Sequence, residues 1–161
     1  MREPSKLFGN LFLISIALFL FYSCDKNRVF EDIKEIPEGN WNRKNKISFE
    51  INITDTTSLN NIYFNIRNKG SYAYRNIYIF LNTIYPDNKS SIDTFVCILA
   101  NEKGRWLGKG IGDLWFNRML FKKNLVFPKK GKYIFKFEQA MRNEDLLGIT
   151  DIGIRIEKVE K

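Results

Sequence analysis

Beyond Arg28, apolar and polar residues alternate with a period of two over most of the chain. Ile47, Phe49, Ile51 and Ile53 are interleaved with Ser48, Glu50 and Asn52. Ile62, Phe64 and Ile66 are interleaved with Tyr63, Asn65 and Arg67, and this run stops at Asn68-Lys69-Gly70. Successive side chains of a strand point to opposite faces, so each run predicts a strand with one face in a core. Asp55-Thr56-Thr57-Ser58 between the two runs has turn chemistry. Tyr74 to Tyr85 is apolar at both parities (Ile77, Ile79 and Leu81; Tyr78, Phe80 and Ile84), which predicts a central strand ended by Pro86-Asp87-Asn88. Ile92 to Leu99 follows, then Tyr133, Phe135 and Phe137 after Pro128-Lys129-Lys130-Gly131, and finally Ile152, Ile154 and Ile156. Only Asp113 to Lys122 and Gln139 to Leu147 carry spacings compatible with helical turns. Short strands at roughly ten-residue spacing without strand-helix alternation predict an all-β fold, a single antiparallel β-sandwich. A jelly-roll order and an immunoglobulin-like order fit equally well.

The first residues break this pattern. Arg2 and Lys6 precede an apolar run, Leu7 to Tyr22, that closes on Ser23-Cys24. A comfortable membrane-spanning helix needs about 20 apolar residues; this shorter run with a basic start reads as a secretory signal. A small residue followed by cysteine is the cleavage pattern of bacterial lipoproteins, in which the new N-terminal cysteine is acylated. Each buried methylene then contributes about 0.8 kcal/mol to membrane retention. The expected organisation is a signal peptide over 1–23, a lipidated Cys24 with a polar tether over 24–28, and the β-sandwich over 29–161.

The mature part keeps 138 residues, the size of one domain. It carries 24 basic and 17 acidic side chains, a net charge of +7. An exported, lipid-tethered chain does not meet nucleic acid, so this charge suits an anionic membrane or polymer. With Cys24 acylated, Cys97 has no cysteine left to pair with, and its setting in Phe95-Val96-Cys97-Ile98-Leu99 predicts a buried thiol. The chain contains no histidine, which excludes Ser-His-Asp and Cys-His nucleophile activation. No spacing brings two carboxylates into the arrangement glycoside hydrolysis needs. No enzymatic activity, no cofactor and no metal site is expected.

Gly104 to Asp113 (GRWLGKGIGD) is rich in glycine but departs from a P-loop: three residues, not four, separate Gly104 from Gly108-Lys109, and Gly110 replaces the magnesium-binding Ser or Thr. We read it as a loop that lets Trp106 and Trp115 pack or protrude, with Arg105 and Lys109 beside them as a partner-binding edge. In Gln139 to Gly148, Met141 and Leu147 are expected to cover the open end of the sandwich, Arg142 to pair with Asp145 or Asp151, and Gly148 to take a left-handed conformation. A second use of the fold is a lipid-anchored glycan- or peptidoglycan-binding module, since Tyr63, Tyr72, Tyr74 and Tyr78 crowd along two strands.

Several stretches together resemble the gliding-motility lipoprotein GldH family of Bacteroidetes. They are Ile66-Arg67-Asn68 with Tyr72, Tyr74 and Asn76; Leu99-Ala100 with Gly104, Trp106, Leu107, Gly108, Gly110 and Gly112; Phe127-Pro128 with Gly131, Tyr133 and Phe135; Gln139-Ala140-Met141-Arg142; and Gly148-Ile149 with Asp151 to Glu157. They span about residues 29 to 158. The resemblance implies a non-enzymatic scaffold or accessory of the gliding apparatus and the linked type IX secretion machinery, with protein partners there and membrane attachment through acyl chains on Cys24. Surface-displayed lipoproteins of these bacteria carry an acidic run after the acylated cysteine. Asp25-Lys26-Asn27-Arg28 is charge-balanced, so the expected location is the outer membrane, facing the periplasm.

Overall fold

The computed structural model describes residues 25–160; Cys24 and the signal lie outside the described residues. Eleven strands run in chain order: β1 (Arg28–Glu35), β2 (Asn40–Asn42), β3 (Ile47–Ile53), β4 (Asn60–Lys69), β5 (Asn76–Ile84), β6 (Ser90–Ile98), β7 (Lys109–Ile111), β8 (Leu114–Leu125), β9 (Gly131–Gln139), β10 (Asp145–Leu147) and β11 (Ile149–Lys158). All pairings are antiparallel, in two main sheets ordered β1-β11-β4-β8-β7 and β3-β9-β5-β6, with β2 and β10 forming a separate two-stranded ribbon. Counting only the eight long strands, one sheet reads first-eighth-third-sixth and the other second-seventh-fourth-fifth. That is the double Greek key of a jelly roll, so the structure selects this order over the immunoglobulin-like one.

The predicted alternation builds the core. Ile62, Phe64 and Ile66 of β4 and Ile152, Ile154 and Ile156 of β11 meet Ile47 to Ile53 of β3, Ile77 to Leu81 of β5, and Tyr133 to Phe137 of β9. β-Branched and aromatic side chains suit this half-buried pleated surface. A chain of rings crosses between the sheets, from Phe49 to Phe137 (centroids 5.8 Å apart), Phe64 (5.1 Å), Phe95 (5.5 Å) and Phe121 (4.5 Å). Cys97 is fully buried, and burial pushes its thiol pKa up to about 12.

Two expectations are corrected. Asp113 to Lys122 is not helical but falls almost entirely in β8, the longest strand, and β10 occupies the end of the second segment; among the described residues there is no α-helix. In β8 both parities are apolar: Trp115, Met119 and Phe121 share the inner side with Asn117, while Phe116 and Leu120 face outward. This blurs the period of two, and the ladder offered by β4 decides the outcome. β5 is central in its sheet, yet among the described residues nothing covers its second apolar face: Tyr78 and Phe80 are 46% and 41% exposed.

The connections sort to two ends. Chain entry, the β3–β4 and β8–β9 crossovers, the β5–β6 hairpin and the chain exit share one end; the remaining crossovers share the other. At the second end Trp41 is fully buried, donates from Nε1 to the Asn45 carbonyl (2.9 Å) and sits opposite Leu146, so the β2–β10 ribbon closes the core there. Leu146 does what was expected of Leu147, which is 69% exposed because it has the opposite parity. Met141 does pack against the core, and Gly148 does take a positive φ of 91°.

At the first end, the β3–β4 turn is organised by Asp55. Its carboxylate accepts from the Thr57 and Ser58 amides (2.9 and 3.1 Å), from both hydroxyls, and from Lys158 Nζ at 2.7 Å. Lys158 first, then Ser58 and Thr57, hold its pKa well below the usual carboxylate range. A group whose folded pKa is depressed stabilises fully above its unfolded pKa of about 3.9 and loses that contribution as the pH falls toward the folded value. Denaturant unfolding from pH 7 down to pH 2 is expected to show stability falling below about pH 4; Asp55→Asn lowers stability at pH 7 and flattens that acid limb. An equally steep limb in the variant would show that other carboxylates carry it.

Candidate functional site

β6 is the terminal strand of its sheet, and its second backbone edge pairs with no strand among the described residues. Across from it, β7 covers β8 only over Leu114, Trp115 and Phe116, so the rest of β8 is also open on that side. Between these two edges lies a groove of about 500 Å³, bordered by Ile98 and Leu107 on one side and by Lys109, Phe116, Arg118 and Met119 on the other. A recess of about 290 Å³ between Asp93–Val96 and Met119–Lys122 lies along the same two strands. Its floor is the Phe95–Phe121 ring contact, and the Lys122–Asp93 ion pair (3.1 Å) bridges it.

The outer face of the β5–β6 pair continues this border. Register places Tyr78 opposite Val96, Phe80 opposite Thr94, Asn82 opposite Ile92, and Asn76 opposite Ile98. Tyr78, Phe80, Val96 and Ile98 are all more than two-fifths exposed, and Ile92 is 72% exposed. Single exposed apolar side chains need no explanation, but five on two adjacent strands beside an unpaired edge mark a candidate interaction surface.

The loop read as a binding edge is divided by the structure. Asn101 ties its tip: its side-chain oxygen accepts from the Lys103 and Arg105 amides (3.0 and 2.9 Å), and Gly104 takes a φ of 76°. Trp106 forms a β-bridge with Ala100 and turns inward, its ring centroid 6.4 Å from Tyr72, so it packs half-buried against the core. Trp115 lies under Gly110, where an added Cβ would stand 2.8 Å from the indole; only glycine lets β7 lie against it. Arg105 and Lys109 are exposed. The structure therefore brings Lys109 together with Leu107, Ile98 and Arg118 at the groove, and gives the two tryptophans packing duties.

Arg142 is exposed and pairs with neither Asp145 nor Asp151; Asp151 takes Arg67 at 3.2 Å. It is Arg43 that organises this turn, donating to the Met141 and Arg142 carbonyls. Arg155 is surrounded by carboxylates on the outer face of the five-stranded sheet. It is 6% exposed and donates to Asp25, Glu31 and Glu157. Glu31 also receives Arg118 at 2.6 Å, and Arg118 in turn donates to Asn65 at 3.1 Å. Burial would push the Arg155 pKa down, but the hydrogen bonds to the three carboxylates override it and the net shift is upward; the same bond holds Asp25 below the usual range. Sequence reasoning missed this cluster, whose signal was the Glu31–Arg155 cross-strand register.

Residues 28–156 match the family model described as GldH lipoprotein. The chain belongs to the GldH lipoprotein family. A protein of Christiangramia forsetii named "Gliding motility lipoprotein GldH homolog" is 35% identical over 156 residues, 92% of this chain and 95% of its own length. "Gliding motility lipoprotein GldH" of Flavobacterium johnsoniae is 31% identical over 153 residues, 91% and 94% of the two chains. Among solved structures, a carbohydrate-binding module specific for non-crystalline cellulose overlaps with a TM-score of 0.42 at 8% identity, over 81% of this chain and 73% of that one. So loose an overlap transfers nothing to this GldH family member.

Replacing Trp106 by Ala removes half-buried packing, and we expect a loss of about 2–3 kcal/mol, below the 3–5 typical of a fully buried aromatic. Chemical denaturation measures it. A change within the ±0.5 kcal/mol of ordinary surface substitutions would contradict the packing role.

Proposed function

We propose that this GldH family member is anchored at the outer membrane by acyl chains on Cys24, faces the periplasm, and serves gliding motility and the linked type IX secretion machinery as a non-enzymatic scaffold. Membership of the family supports the motility role, because the relatives that match over nearly their whole length carry that name. The Leu7–Tyr22 apolar run closing on Ser23-Cys24 supports the anchor. The charge-balanced segment after the cysteine supports the periplasmic side.

The observation that carries the scaffold reading is the uncovered apolar face of β5 and β6 beside the free β6 edge. An extended segment of a protein partner adds to such an edge as a further strand: main-chain hydrogen bonds supply affinity, and alternate side chains meet the flanking surface. Tyr78, Phe80, Val96 and Ile98 give the partner's apolar residues a place to bury. Lys109, exposed at the groove, and Arg105, exposed on the same loop, favour a partner segment with an acidic end.

Two variants in the producing cells test the reading. Ile92→Lys with Val96→Lys places charge on the exposed edge, a device that blocks strand addition; melting is expected to stay within a few degrees of wild type while gliding is lost. Normal gliding by this folded variant would reject the edge as the docking site. Cys24→Ser is expected to abolish fatty-acid labelling and membrane retention, and persistent label on it would reject Cys24 as the anchor.

A further inference from the structure

The short segment after Cys24 is not a free tether. The Asp25 carboxylate is bound by Arg155, the Asp25 carbonyl accepts from the Arg28 amide (3.3 Å), and the Asn27 carbonyl accepts from the Lys158 amide (2.8 Å). The Asn27 side chain donates to Glu160 at 2.6 Å. Cys24 is one peptide unit, about 3.8 Å between Cα atoms, from a residue fixed to the fold. The acyl chains therefore leave the protein at one defined point, beside the start of β1 and the end of β11.

That point determines which end of the sandwich meets the lipid. The same end carries the β3–β4, β5–β6 and β8–β9 connections. Leu59, Val126 and Val29 are exposed there, and the Leu59 carbonyl accepts from the Val159 amide, which joins this loop to the chain exit. Several lysines at this end are already paired: Lys122 with Asp93, Lys129 with Asp87, Lys132 with Glu50, and Lys158 with Asp55. Lys26, Lys89, Lys123 and Lys130 are exposed and have no salt-bridge partner among the described residues. Exposed aliphatics ringed by unpaired lysines are the combination that inserts at the boundary between headgroups and acyl chains of an anionic leaflet.

We infer that this end of the sandwich lies directly on the anionic phospholipid headgroups of the membrane holding the acyl chains, with Leu59 and Val126 entering the interface, Lys26, Lys89, Lys123 and Lys130 meeting the headgroups, and the Arg155–Asp25 bond keeping the domain from swivelling. The inference rests on acylation of Cys24. It goes beyond the scaffold reading by setting the orientation in which the domain presents itself: β5 and β6 stand on edge above the leaflet, and the Gly104–Asp113 loop points away from it.

The test uses the full, acylated chain purified from membranes and reconstituted in vesicles of phosphatidylcholine, alone or mixed with phosphatidylglycerol. Cys97 is buried, so a cysteine introduced by Val126→Cys, Leu59→Cys or, at the far end, Leu107→Cys takes an environment-sensitive fluorophore selectively. In anionic vesicles, labels at the first two positions are expected to shift to the blue and to be quenched by shallow spin-labelled lipid, and the label at the third to do neither. Exchanging Lys26, Lys89, Lys123 and Lys130 for Gln, or omitting phosphatidylglycerol, is expected to weaken the blue shift and the quenching while the protein still floats with the vesicles. Floating protein whose near and far labels respond alike, or whose near labels ignore lipid charge, overturns the orientation and leaves the anchor standing. Protein that floats with neither vesicle has no acyl anchor, which overturns the lipidation reading and this inference together.

Discussion

The contact between Phe64 and Phe137, with ring centroids 5.1 Å apart, is where the two sheets are joined. Each ring stands on a central strand, β4 or β9; Phe64 also touches Phe95 of the opposing layer, and Phe137 touches Phe49 of its own layer. A jelly roll has few local contacts, since its paired strands are distant in sequence. Its stability therefore rests on burying two inner faces against each other, with isoleucine and phenylalanine providing most of the apolar area. The ends and the outer faces are arranged around that requirement.

Polar groups at the margins are organised rather than left to water. Gln139, fully buried at the end of β9, donates to the Asn143 and Glu144 carbonyls and accepts from the Met141 amide, so one side chain shapes the whole turn that leads to β10. Arg155 does the equivalent on the outer face of the other sheet. A buried guanidinium is costly unless fully partnered, and three carboxylates meet that condition while tying the first residues of the domain to its last strand. The outer face of β5 and β6 has nothing comparable among the described residues: its Tyr78, Phe80, Ile92, Val96 and Ile98 are exposed. This contrast between a polar outer face and an apolar one gives the molecule a side suited to protein contact.

Strands with one clean apolar face were legible beforehand. β3, β4, β9 and β11 follow from alternation alone, and the turn at Asp55 from its side-chain chemistry. β1 was not legible, because Arg28 to Glu35 is almost entirely exposed and pairs through its backbone, leaving no core parity to read. β2, β7 and β10 are three residues each, too short to show a period. β8 was obscured by apolar residues at both parities. At the candidate site, Arg105 and Lys109 are exposed as read, but whether a tryptophan between glycines turns in or out depends on what waits inside. For Trp106 that is Tyr72, over thirty residues earlier in the chain.

The sequence by itself determined the class of fold, the burial of Cys97, the absence of any histidine-based chemistry and the family, because each depends on residue type and local spacing. The tertiary structure alone decided the jelly-roll order, the exposure of Tyr78 and Phe80, the enclosure of Arg155 and the end of the sandwich from which the chain leaves toward Cys24. Those outcomes depend on which strands become neighbours. Alternation says that a side chain points to one face or the other, while only long-range pairing says what, if anything, covers that face.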